Sequence, residues 1–150
     1  MEAIASIIIA LTAIAALGVG WLQLRANEQL SRENYAIGTW SQYLKVGFEN
    51  PAFCSERLAM REYSLKTVGE LVSGESLASE KYLWFLTIVL DTCEAVLTYL
   101  PREDWERTIV NQLKFHRSAL AQVWDHESEP WRHFYGPRLN AIVTRVLDNA

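Results

Sequence analysis

Residues 3–22, AIASIIIALTAIAALGVGWL, run for twenty positions without a charge, and no other stretch constrains the chain as strongly. At a helical rise of about 1.5 Å per residue the segment reaches about 30 Å, the thickness of a bilayer's hydrocarbon core. It predicts a transmembrane helix, whose polar side chains Ser6 and Thr12 can return their hydroxyls to the helix backbone. Trp21 then falls at one interface, where an amphipathic ring is favoured. A cleaved secretory signal is the competing reading, with Ala13 and Ala15 imitating a cleavage site. The leader, however, carries Glu2 and no basic residue, and the apolar run is longer than a signal requires.

Orientation follows from charge. Arg25, Arg32 and Lys45 lie on the C-terminal flank and no basic side chain lies on the N-terminal one, so the positive-inside rule places the N-terminus outside and the body in the cytoplasm. Residues 1–24 read as the anchor and 25–150 as a helical bundle domain, with 25–49 continuing the span as a membrane-proximal stalk helix because nothing there breaks it. Thr12, Ala16 and Gly20 recur every fourth position and form a small-residue stripe that would let a second span approach.

The remainder is long enough for one domain with its own core. A net charge of -4 with no run of Lys or Arg argues against nucleic acid and against anionic headgroups as partners. Cys54 and Cys93 belong to no paired-cysteine motif and read as free thiols in a reducing compartment. Six Trp and six Tyr supply large rings for a core.

Periodicity divides the body into about five helices, and no segment shows sustained strand alternation, so the fold class is all-α. Ile37, Trp40, Leu44 and Phe48 form one face for a partner helix, and Asn50-Pro51 ends that element. Residues 53–72 read as a single amphipathic helix with Leu58, Leu65, Val68 and Val72 aligned, closed by Ser73-Gly74-Glu75-Ser76. Residues 79–100 are apolar enough to resemble a second span, but Asp91 and Glu94 near the centre would each cost about 2.5 to 3.5 kcal/mol in lipid. A central bundle helix is expected instead. Pro101 closes it, Asp104 is the expected cap of the next helix, and Trp105, Ile109, Leu113, His116, Leu120 and Val123 share that helix's face. After an irregular segment around Trp131, Pro137 opens the last helix, whose Leu139, Ile142, Val143, Val146 and Leu147 are expected to dock on the core.

Three features could carry chemistry or recognition. Thr87, Asp91, Glu94 and Thr98 form a polar stripe in which two acids one turn apart could share a proton or hold a metal, or be neutralised by Arg61 or Arg117. The Glu-x-x-His pairs of di-iron bundles are missing, so no metal or other cofactor is assigned. His116 could meet those acids as a general base, which would make Asp91, Glu94 and His116 the lining of a ligand-sensing or hydrolase-like pocket; against it stand the want of a paired nucleophile or a phosphate-binding loop. His126, Glu127 and His133 match no established metal-ligand spacing. Trp124, Trp131, Arg132 and Tyr135, with Phe134 and His133, either plug the end of the bundle or present interface anchors.

The uncharged span, LRANEQLSRENYAIGTWSQYLKVGFENPAF, EKYLWFLTIVLDTCEAVL and the pattern W-x(3)-I-x(3)-L-x(2)-HR together resemble a group of small bacterial membrane-anchored helical proteins of unknown function. The FENP turn, the Cys93-Glu94 pair and the His116-Arg117 pair are the most recognisable points, and residues 55–76 fit least well. The resemblance implies a bacterial inner-membrane location with a cytoplasmic helical domain, and no catalytic residues. The sequence thus leads to an expectation of a membrane-tethered scaffold, without catalysis, that holds a protein partner or a second copy at the bilayer.

Overall fold

The computed structural model describes residues 2–126 and 130–148, with the side chains of that range apart from those of residues 2–5, 8 and 10. All regular structure among the described residues is helical: α1 (Glu2–Glu49), α2 (Glu56–Glu62), α3 (Val68–Val72), α4 (Leu77–Tyr99), α5 (Glu103–Leu113), α6 (Arg117–Val123) and α7 (Pro137–Asp148), with 3-10 turns at Pro51–Cys54, Lys114–His116 and Trp131–Phe134. The chain forms two compact units, residues 1–35 and 36–150.

In the first unit the described side chains from 11 to 32 are all exposed. Leu11, Ile14, Leu17, Val19 and Leu22 point to several sides of the helix, so no single face is reserved for a core. The Arg25 guanidinium lies 4.6 Å from the Trp21 ring centroid, a cation–π contact at the C-terminal edge of the apolar run. Thr12, Ala16 and Gly20 are exposed, and a Cβ added at Gly20 would meet nothing within 4 Å.

In the second unit α4 is the hub. It has the length and apolarity to cross a bilayer, yet half of its most apolar window is buried inside the fold, as a core helix requires. Tyr82, Phe85, Leu86, Val89, Leu90, Cys93, Val96 and Leu97 form its inner surface. Ser76 caps its start by accepting from the Ser79 amide. The neighbours α3, α5 and α7 pack around it, and Leu139, Ile142, Val143 and Val146 of α7 close the core.

The C-terminal part of α1 docks through a different face from the one the aliphatic pattern suggests. Ala36, Tyr43 and Gly47 are buried and Trp40 half-buried, while Ile37, Leu44 and Phe48 remain exposed. Size explains the choice. A Cβ on Gly47 would lie 3.3 Å from Cys54 Sγ and 4.0 Å from Phe85 Cζ, so the glycine allows an approach that larger residues would block. Trp40 then meets Trp105 edge-on with centroids 5.1 Å apart, and Tyr43 lies 5.9 Å from Phe85.

The single helix expected over residues 53–72 is two. α2 ends in a left-handed Ser64 (φ 55), with Ser64 N–H donating to Arg61 O and Leu65 N–H to Met60 O. This is a Schellman closure, whose signal was hidden because serine stands where glycine is usual. Leu58, expected inside, is 43% exposed as a result. Ser64→Gly is expected to raise stability by about 1 kcal/mol, by removing the left-handed strain, as measured by denaturant midpoint at constant m-value.

Two further boundaries move. α5 begins at Glu103 with Arg102 as an extended N-cap, so Asp104 is a first-turn acid rather than the cap. The His116 face is divided by a 3-10 turn, and α6 starts afresh at Arg117. One of the amides its first turn leaves without an intrahelical acceptor is met from a distance in sequence, because the Ala119 N–H donates to Glu56 Oε2 at 2.8 Å.

Candidate functional site

The acidic stripe and the aromatic segment, separate in sequence, meet at one surface. On α4, Asp91 is exposed and Glu94 half-buried. Trp131, Phe134 and Tyr135 line one pocket with Glu80, Leu83, Trp84, Thr87 and Asp91 of α4, about 440 Å³ in volume. The Tyr135 phenol is hydrogen-bonded to Asp91, and burial, followed by the charge of that carboxylate, pushes its pKa well above the ordinary tyrosine range.

Local structure holds these groups still. Trp124 is buried and stacks on Tyr135, with centroids 5.7 Å apart and planes 11° apart. Asn140 of α7 donates its side-chain amide to the carbonyls of Arg132, Tyr135 and Gly136, tying the turn to the last helix. Arg132 is exposed and pairs with Asp125 at 2.8 Å. Trp124 therefore plugs the bundle, whereas Trp131 and Tyr135 are half-buried and partly available to a ligand.

Glu94 lies beside Gly136: a Cβ there would come within 2.6 Å of Glu94 Oε1. Its other oxygen, Oε2, is shielded from solvent and has no hydrogen-bond partner among the described residues. The arginines considered as its neutralisers are elsewhere. Arg117 donates to Leu147 O at 2.7 Å, and Arg61 is exposed and lines a cleft with Phe53 and Tyr63.

His116 takes a different neighbourhood. It is fully buried, its Nδ1 lies 2.9 Å from the Tyr82 hydroxyl, and its ring packs near Tyr82 and Phe85. At 100° per residue, Tyr82 and Asp91 are on opposite sides of α4, as are Phe85 and Glu94. The structure thus brings Asp91 to the aromatic pocket and His116 to the core, and does not gather the three into one cavity. Burial lowers the His116 pKa to about 4, so the ring is neutral at pH 7. The protonated ring would carry an Nε2–H facing no acceptor among the described residues.

Both cysteines are free. Burial raises both thiols above the ordinary cysteine range, which leaves neither poised as a nucleophile. Among the described residues no group of three or more His, Cys, Asp and Glu side chains could hold a metal; His126 and His133 are exposed, and Glu127 lies outside those residues.

A second concavity was not legible in the sequence. Leu44 and Phe48 of α1, Leu58 of α2 and Phe115 line a trough of about 800 Å³, together with Arg57 and Lys114. Phe48 is 85% exposed. The trough exists because α1 docks through its small-and-aromatic face and leaves the aliphatic one uncovered. No protein-family model, curated protein or solved structure matches this chain.

Proposed function

We propose that the chain is a membrane-tethered helical module, in which residues 3–22 form a single span at a bacterial inner membrane and the second unit holds a protein partner or a second copy in the cytoplasm. The observation that carries this reading is the exposure of α1 from residue 11 to 32, with large apolar side chains on several sides. Apolar surface costs about 25 cal/mol per Å² in water and nothing comparable in lipid. The Trp21–Arg25 contact suits an interfacial position, and the basic residues Arg25, Arg32 and Lys45 on one flank support an N-outside orientation. The likeness to small membrane-anchored helical proteins belongs to the same proposal.

The holding role draws its support from the second unit, where the exposed apolar residues Leu44, Phe48, Leu58 and Phe115 share one trough. Such a patch suits an interaction surface. A photo-crosslinking amino acid placed at Phe48 of the full-length protein, in its native membrane, is expected to give one dominant protein adduct or a dimer. The same probe at Arg107, an exposed position on α5 outside the trough, should give none. Adducts to lipid or water alone at position 48 would remove the holding role.

A further inference from the structure

We propose that the pocket between α4 and the Trp131–Phe134 turn binds a small alkylammonium cation, a quaternary or methylated amine. Four aromatic residues line it, Trp84 from α4 and Trp131, Phe134 and Tyr135 from the turn and the residue after it. Trp84 is 65% and Phe134 73% exposed, so among the described residues two large rings are left open to solvent. Among the described residues two carboxylates, Glu80 and Asp91, share the lining, and no Lys or Arg does. Of the two basic residues of the turn, Arg132 is engaged with Asp125, and His133 is exposed and outside the pocket lining.

Ligand chemistry follows by elimination. An anion is repelled by both carboxylates. A small metal ion needs several oxygen donors at fixed positions and gives up a tightly held water shell, which aromatic rings do not replace. A neutral apolar molecule strips water from the carboxylates and offers nothing in return. An alkylammonium ion presents apolar methyl groups that carry its charge, and so satisfies the ring faces and the carboxylates together. Part of the wall is ordered beforehand, because Tyr135 is stacked on buried Trp124 and bonded to Asp91.

The trimethylammonium group also occurs in lipid headgroups and in zwitterions, where an anion lies a few atoms away. Two carboxylates disfavour those forms, and the pocket is assigned to an alkylammonium cation that carries no anionic group. The inference uses only residues of the second unit and does not rest on the membrane placement.

Saturation-transfer NMR on the full chain in detergent micelles tests it, with choline, betaine, phosphocholine and the neutral choline isostere 3,3-dimethylbutanol as probes. Choline is expected to bind saturably and at least tenfold more tightly than the isostere, with betaine and phosphocholine weaker than choline. Glu80→Gln and Trp84→Leu alter exposed side chains, and each should weaken choline binding severalfold while far-UV circular dichroism stays unchanged. Equal affinity for choline and its neutral isostere, tighter binding of phosphocholine, or no saturable binding of choline would each overturn the proposal.

Discussion

Between pH 6.5 and pH 4 the fold is expected to lose up to about 3 kcal/mol of stability through His116 alone. The folded-state pKa is lowered to about 4 by burial, from the ordinary value of 6.5. As pH falls, the unfolded chain takes up its proton first, so protonation favours unfolding across that interval. The contribution is fully present above about pH 6.5, declines through the window, and is flat below pH 4. Desolvation by burial is the cause of the shift, and the rings packed on His116, Tyr82 and Phe85, carry no charge to offset it. Denaturant titrations of the full chain in detergent, followed by tryptophan fluorescence at pH 7, 5.5 and 4, measure the loss. His116→Gln should be less stable at pH 7 and should lack most of the decline. An equal decline in wild type and variant would show that the ring is not the responsible group.

The second large effect separates a core helix from a membrane span. Leu90 is completely buried on α4, and Leu90→Ala is expected to cost about 2 to 5 kcal/mol by lost transfer energy and a cavity that cannot collapse. Trp84 lies on the same helix but is 65% exposed, so Trp84→Ala should change stability by no more than about 0.5 kcal/mol. A helix spanning lipid would not show that contrast between its two faces. Comparable losses at the two positions would contradict the placement of α4 at the centre of the bundle.

The helical class, the hub role of α4 and the face of α7 were legible because apolar spacing reports burial directly. Leu139, Ile142, Val143 and Val146 recur at helical intervals and are all buried. The face of α1 was legible only at Trp40, because apolarity predicted Ile37, Trp40, Leu44 and Phe48 while the docked face is Ala36, Trp40, Tyr43 and Gly47. Hydrophobic pattern ranks residues by transfer energy and is blind to how near two backbones must come. The break at Ser64 was missed for a related reason, since a left-handed serine carries no compositional mark.

At the candidate site, the sequence singled out Asp91, Trp131 and Tyr135 on separate grounds, and their convergence depends on a turn whose course no local pattern dictates. Trp84 was concealed within the apolar run of α4, where an outward-facing ring looks the same as an inward one. The pairing of His116 with Tyr82 spans 34 positions and leaves no trace in spacing. Long-range polar contacts of this kind are fixed by packing, after the helices have been placed.

The tether is the claim on which the function turns, and alkaline carbonate extraction of membranes carrying the full-length chain tests it most directly. The chain should stay in the pellet after the wash and be released only by detergent. Deletion of residues 3–22 should move it to the soluble fraction with its helical circular dichroism largely retained. Release of the intact chain by carbonate would contradict the tether, and retention of the deletion variant would assign membrane attachment to another part of the molecule.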